Sequence, residues 1–280
     1  MPSFVRIVLP AILACLPSAV VAQTLTVMTV NVRYPNPDDG PDLWANRAPI
    51  LIDTIRAADA DVIGTQELFA LQGDAIVRAL PAYRWFGRDR NGGHADEHMG
   101  ILWRSDRLRL LRRGDFWLSD TPDVVGSSDW GVNLPRMVNW GEFETRGAKR
   151  RRFVLFDTHF AHRDEDADAR ARSARVLLAR MRRIAGTLPV VVTGDLNARP
   201  DSIAYRVMTD VLTDAWTSAA TRIGPETTFH DFTGKPDRRI DYIFTRGFTA
   251  LSTTVMTDHR GERYPSDHFP VAARLRLTGR

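Results

Sequence analysis

The chain has 280 residues, 44% of them apolar, and a formal net charge of +4. Its 19 Gly and 16 Pro are ordinary levels, which excludes collagen-like and low-complexity classes, while a single cysteine excludes a disulfide framework and Cys-based zinc sites. The charge suits an anionic substrate and a solvated basic surface equally well.

The first 22 residues read as an export signal. Arg6 precedes the apolar run Ile7 to Leu16, and Val20-Val21-Ala22 offers small residues for cleavage near Ala22. The run is short and broken by Pro10 and Pro17, so the mature protein is expected in the periplasm or outside the cell without a membrane span. Cys15 leaves with the signal. Residues 23–280 show no linker or composition break and are expected to form one α/β domain with mixed sheets.

Leu25 to Val32 is a strand pattern, and a Pro/Asn/Asp/Gly loop follows. Ile50, Leu51 and Ile55 mark the apolar face of a helix over about Asn46 to Ala58, and Asp61 to Thr65 reads as a buried strand ending at Gln66 and Glu67. Gly100 to Trp103 with Leu108 to Leu111, and Trp140 to Thr145 with Arg152 to Thr158, have the form of antiparallel pairs around polar turns. The clearest helix spans Ala167 to Ala185: Ala174, Leu177, Leu178, Met181 and Ile184 repeat at helical spacing and Gly186 suits its end. Leu188 to Thr193, Ile240 to Phe244 and Val271 to Leu277 complete the strands.

Polar residues follow several apolar strands directly. They are Asn31 and Arg33, Glu67, His159, Asp195 with Asn197, and Asp267 with His268; Asp241 lies inside a strand. Singly these are weak signals, since Gly194-Asp195-Leu196-Asn197 is a common turn and His159 alone reads equally as a core histidine. Asp241 between Ile240 and Tyr242 demands a partner, either Arg238 or Arg239 or a histidine. If the Gly-Asp-x-Asn stretch stays extended, Asp195 and Asn197 point to one side, where an acceptor and an amide would converge on a water or a substrate oxygen. A hard cation, a positioned water and donors for developing charge are what phosphate-ester hydrolysis needs.

In this order the segments resemble the endonuclease/exonuclease/phosphatase superfamily over essentially the whole mature chain. Asn31-Val32-Arg33-Tyr34, Trp44 with Arg47, Phe116-Trp117-Leu118-Ser119, Thr228-Phe229-His230 and Tyr264 to Pro270 resemble an exported bacterial branch of it. The resemblance implies a four-layer α/β sandwich of the DNase I-like kind, two packed mixed β-sheets flanked by helices. It implies a Mg²⁺-dependent phosphodiesterase or phosphomonoesterase, with Mn²⁺ as a substitute metal. Glu67 resembles the principal metal ligand, with Asn31 beside it and Asp267 contributing. Asp195 resembles the group that orients or deprotonates the attacking water, Asn197 a phosphate or nucleophile contact, His268 a histidine steered by Asp241, and His159 a donor to a phosphate oxygen.

One departure is that Arg33 stands where some members carry a carboxylate. On the strand face of Asn31 it would clamp a substrate phosphate, which favours one resting metal. Arg136, His162 and Arg170 are further substrate-side candidates, and Glu97-His98 sits in a Gly-rich loop without an assigned role. Alternatives are a non-specific secreted nuclease and a non-catalytic binding module on the same scaffold. Nucleic acid is indicated by no specific motif, because the Arg88 to Met99 loop is short and carries both charge signs. A monomer is the expected state.

Overall fold

The computed structural model describes residues 24–147 and 149–278. The segment expected to be an export signal, residues 1–22, lies outside them. The elements run β1 (Thr24–Asn31), α1 (Trp44–Ala58), β2 (Val62–Leu68), α2 (Ala70–Ala79), β3 (Tyr83–Phe86), β4 (His98–Arg104), β5 (Leu108–Trp117), β6 (Met137–Thr145) and β7 (Arg152–His159). They continue with α3 (Ala167–Ala185), β8 (Val190–Asp195), α4 (Ile203–Thr209), β9 (Thr213–Asp214), α5 (Ala215–Ser218), β10 (Thr221–Ile223), β11 (Asp241–Arg246), β12 (Phe248–Val255) and β13 (Val271–Leu277). Among the described residues no helix is long and apolar enough to cross a membrane.

Period-two patterning builds four layers. On β1, Leu25 and Val27 face one core while Met28, Val30 and Val32 face another with Leu51 and Ile55 of α1 and Ile76 of α2. On β7 and β8, Phe153, Leu155 and Val191 join the first core, whereas Val154, Phe156, Val190 and Val192 pack on Leu177, Leu178 and Met181 of α3 and Met208 of α4. The result is a helix layer, a seven-stranded sheet in the order β10-β12-β13-β1-β2-β4-β3, a six-stranded sheet in the order β5-β6-β7-β8-β11-β9, and a second helix layer. Both sheets are mixed: β1 with β2 and β7 with β8 are parallel, and most other pairs are antiparallel. The expected α/β sandwich is the fold observed. Each fully buried Leu, Val or Phe in these cores contributes about 1.5–3 kcal/mol against conformational entropy.

The hairpin expected at Trp140 to Thr145 and Arg152 to Thr158 forms as β6 and β7. The one expected at Gly100 to Trp103 and Leu108 to Leu111 does not. β4 pairs with β2 and β3 in one sheet, and β5 pairs with β6 in the other. The polar segment between them is a crossing between layers, held by Arg104 to Asp59 and Asp106 and by Arg107 to Asp59 and Asp61. The α3 helix spans the predicted residues, and Gly186 caps it at φ +53°, where its N–H bonds the Arg182 carbonyl.

Candidate active site

The inward-facing register of five strands changes from apolar to polar toward one end of the sandwich. β1 reads Leu25, Val27, Thr29, Asn31; β2 reads Val62, Gly64, Gln66; β7 reads Phe153, Leu155, Asp157, His159; β8 reads Val191, Thr193, Asp195. β11 runs the other way and starts at that end with Asp241, paired in register with Asp195. Parallel pairing of β1 with β2 and of β7 with β8 brings their carboxyl ends together, and a cavity of about 1010 Å³ opens there.

Glu67, His159, Asp195, Asn197, Asp267 and His268 line the cavity, as do Arg33, Arg136, His162 and Arg170. Asn31 and Asp241 stand directly behind it: the Asn31 amide donates to Glu67 Oε1 at 3.0 Å and to Asp195 Oδ2 at 3.2 Å. The Tyr34 N–H fixes the other Glu67 oxygen at 3.1 Å. The Asp267 carboxylate accepts from Ser266 Oγ at 3.0 Å and faces Arg33 Nη1 at 3.7 Å.

Four cavity residues take left-handed backbone conformations: Arg33 at φ +54°, Glu67 at +59°, Asn197 at +47° and Asp231 at +48°. Such positions cost about 1–3 kcal/mol each in non-glycine residues and cluster where side chains are re-aimed. Glu67 sits in a bulge of β2 between Thr65 and Leu68, which turns its carboxylate out of the ladder. Asn197 reaches Asp195 through a turn instead of an extended strand: Asp195 Oδ1 accepts the Asn197 N–H at 2.8 Å. Convergence of Asp195 and Asn197 therefore holds, by a different backbone route from the one expected. Arg33 is likewise off the strand, and Asp39 takes its fork at 3.1 Å and 2.7 Å. That guanidinium is engaged within the protein, so it is not the open clamp expected of it.

Asp241 finds its partner in histidine. His268 Nδ1 lies 2.9 Å from Asp241 Oδ2, while Arg239 binds Asp214 and Arg238 lies over the Phe229 ring at 4.2 Å. His268 is 4% exposed; burial opposes its charge, but the Asp241, Asp267 and Asp195 carboxylates outweigh this and raise it to about 10. These carboxylates favour its protonated form. Burial, with Asp241 adding, pushes Asp195 up to about 7. Asp195 Oδ2 is the hub, 3.5 Å from His159 Nε2 and 3.8 Å from His268 Nε2. Burial, then Arg136, keeps His159 far below the ordinary histidine range, and its Nε2 meets the Asn197 amide at 3.0 Å.

Ligand atoms of Asp195, Asp241 and His268 lie within 4.8 Å of one another, a buried carboxylate/His cluster consistent with a divalent-metal site. Within it the Asp241–His268 hydrogen bond already uses one atom of each. Arg90 and Glu97 also line the cavity, 3.1 Å apart, and burial together with Glu67 pushes Glu97 up to about 7. The sequence assigned Glu97 no role within this Gly-rich loop. Its order comes from Asp89, whose carboxylate accepts backbone N–H groups of Asn91, Gly93, Ala95 and Asp96 at 2.8–3.0 Å.

The model of the Endonuclease/Exonuclease/phosphatase family matches residues 28–268, nearly the whole described chain. The chain belongs to this family. An endonuclease/exonuclease/phosphatase family protein from Bacteroides thetaiotaomicron is 34% identical, with 92% of this chain and 99% of that one covered at a TM-score of 0.87. A family member from Bacteroides vulgatus is 33% identical over 91% and 99% at 0.86. A B. thetaiotaomicron mannosyl-6-phosphatase is 33% identical over 90% and 99% at 0.82. An uncharacterized protein of Acanthamoeba polyphaga mimivirus is 22% identical over 259 residues, 76% of this chain and 37% of that protein, so the chain spans little more than a third of that relative. Family membership places the chain among phosphoesterases, and the buried carboxylate/His cluster is a candidate metal site.

Proposed function

We propose that the protein is an exported, Mg²⁺-dependent hydrolase of phosphate esters, with small hydroxylated phosphomonoesters as its substrates. The observation that carries the chemistry is the buried Asp241–His268 pair, 2.9 Å apart, facing Asp195 on the floor of the cavity. The mannosyl-6-phosphatase relative supports the substrate class. Export rests on residues 1–22 of the sequence.

The donor set fits a hard cation. Glu67, Asn31 and Asp267 offer oxygens, and thiols are lacking beyond Cys15. Glu67 would hold the ion, with Asn31 and Asp267 beside it, because Asp241 and His268 are committed to each other. When bound, Mg²⁺ supplies Lewis-acid stabilisation of phosphoryl charge. Asp195 accepts the proton of the attacking water at Oδ2, the oxygen that also receives the Asn31 amide, while its Oδ1 is anchored by the Asn197 N–H. His268, held charged by Asp241, faces the charge that develops as the P–O bond to the leaving alcohol breaks. Asn197 and His159 fill the other wall and fix Asp195 from the β7 side.

The test is hydrolysis by metal-stripped full chain of mannose 6-phosphate, glucose 6-phosphate, p-nitrophenyl phosphate, bis-p-nitrophenyl phosphate, DNA and sphingomyelin. Monoesters are expected to be cleaved only after Mg²⁺ or Mn²⁺ is restored. Turnover undiminished without metal, or none with any substrate, sinks the proposal.

A further inference from the structure

The cavity's cations are not equivalent, and their partners sort them. Arg33 is held by Asp39, and Arg90 by Asp96 and Glu97. Arg170, 8% exposed, spends its donors on the carbonyls of Ala161, Arg163 and Asp164 at 3.0, 2.6 and 3.4 Å. Among the described residues Arg136 shares with Arg170 the lack of an ion pair but, unlike it, keeps a buried donor without a partner. It is 4% exposed, and among the described residues it makes no ion pair within 4.0 Å. Its Nε is buried without a hydrogen-bond partner, and its Nη2 donates to His162 Nδ1 at 2.9 Å.

A buried guanidinium without a carboxylate is expensive unless something it meets in use compensates it. The surroundings hold it in place nonetheless. The Arg136 carbonyl accepts the Leu118 N–H at 2.7 Å, just before β6 begins. Arg170 fixes the backbone after β7, that backbone presents His162, and His162 orients the Arg136 fork. Arginine only donates, so His162 must offer the Nδ1 lone pair and carry its proton on Nε2. The pair therefore presents N–H groups only, on the wall of a cavity whose floor holds Asp195 and His268.

Resting on the hydrolase reading above, we propose that Arg136, oriented by His162, is the anion subsite that receives the unesterified oxygens of the substrate phosphate and selects a terminal monoester over a diester. A monoester brings three unesterified oxygens and close to two negative charges at neutral pH, whereas a diester brings two oxygens and one charge. A fixed cation with no carboxylate in contact rewards the additional charge, and its fork suits two oxygens at once.

Isothermal titration of the full chain with inorganic phosphate in Mg²⁺ buffer tests this, beside rates on p-nitrophenyl phosphate and bis-p-nitrophenyl phosphate. Arg136→Met is expected to weaken phosphate binding about 10- to 100-fold. It is also expected to lower kcat/KM for the monoester more than for the diester. Arg136→Lys keeps the charge without the fork and is expected to lose about threefold to tenfold, covering the case in which the Met variant does not fold. Wild-type chain that binds no phosphate, or either folded variant binding it with undiminished affinity, overturns the subsite. Phosphate bound through Arg136 by a wild-type chain that cleaves no ester upholds the subsite and defeats the hydrolase reading instead.

Discussion

The two ends of the inter-sheet interface are built from the same strands on opposite principles. At one end Leu25, Val27, Val62, Phe153, Leu155 and Val191 close the sheets on each other with hydrocarbon alone. At the other, Thr29, Gln66, Asp157 and Thr193 link them by hydrogen bonds: Asp157 Oδ1 accepts from Gln66 Nε2 and from Thr193 Oγ1, both at 2.7 Å. Gly64 lies at the changeover, where a Cβ would stand 2.0 Å from Thr193 Oγ1 and 2.2 Å from Asp157 Oδ1. The apolar end supplies stability without geometry-specific chemistry. The polar end uses that stability to hold left-handed residues, a buried ion pair and unpaired polar atoms in place.

If that division is right, substitutions at the two ends should separate activity from stability. The largest effect belongs to His268→Ala, expected to lower kcat per folded molecule about 10²- to 10⁴-fold, well beyond the stability lost when Asp241 is left without its partner, read by steady-state assay beside calorimetry. Leu155→Ala is the converse: about 2–5 kcal/mol of stability lost in urea unfolding, with turnover per folded molecule retained. Equal damage to both properties by both substitutions would erase the distinction between the ends.

Asp157→Asn probes the changeover itself. Burial raises the Asp157 carboxyl well above its ordinary 3.8, so the folded chain holds this proton more tightly than the unfolded one. Its contribution is full below the ordinary value and is lost as pH rises through the raised one. The amide, which stays neutral, is therefore expected to gain stability over wild type at pH 8 and little at pH 4, measured by denaturant titration at both pH values. The smallest effect is expected at the edge of the molecule, where Arg109 meets Glu144 at 2.9 Å with its side chain half exposed. Arg109→Ala should cost under about 1 kcal/mol and leave turnover unchanged.

The same contrast explains what was legible in the sequence. Strand periodicity exposed β1, β7 and β8, and helical spacing exposed α3, because one-sided burial dictates residue type there. Asp241 announced itself by being charged in an apolar strand, and its histidine partner was one of the alternatives that this demanded. Backbone departures from regular geometry were not legible. Nothing in the types of Arg33 or Glu67 announces a positive φ, and Asn197, a residue type that tolerates one, reads as extended instead. The failed hairpin has a similar cause: a polar four-residue gap between strands looks alike whether the chain turns back within a sheet or crosses to the next. Arg136 was visible as a candidate, but its lack of a carboxylate partner is a property of the packed cavity alone.

The central claim is that the polar end is a metal-dependent phosphoesterase site built around Asp241–His268. Phosphate release from mannose 6-phosphate during Mg²⁺ titration of metal-stripped chain tests it most directly, with wild type, His268→Ala and Leu155→Ala side by side. Saturable Mg²⁺ activation in wild type and in folded Leu155→Ala, with turnover nearly abolished in His268→Ala, is the predicted result. Full activity in folded His268→Ala, or activity indifferent to Mg²⁺ throughout, would contradict it.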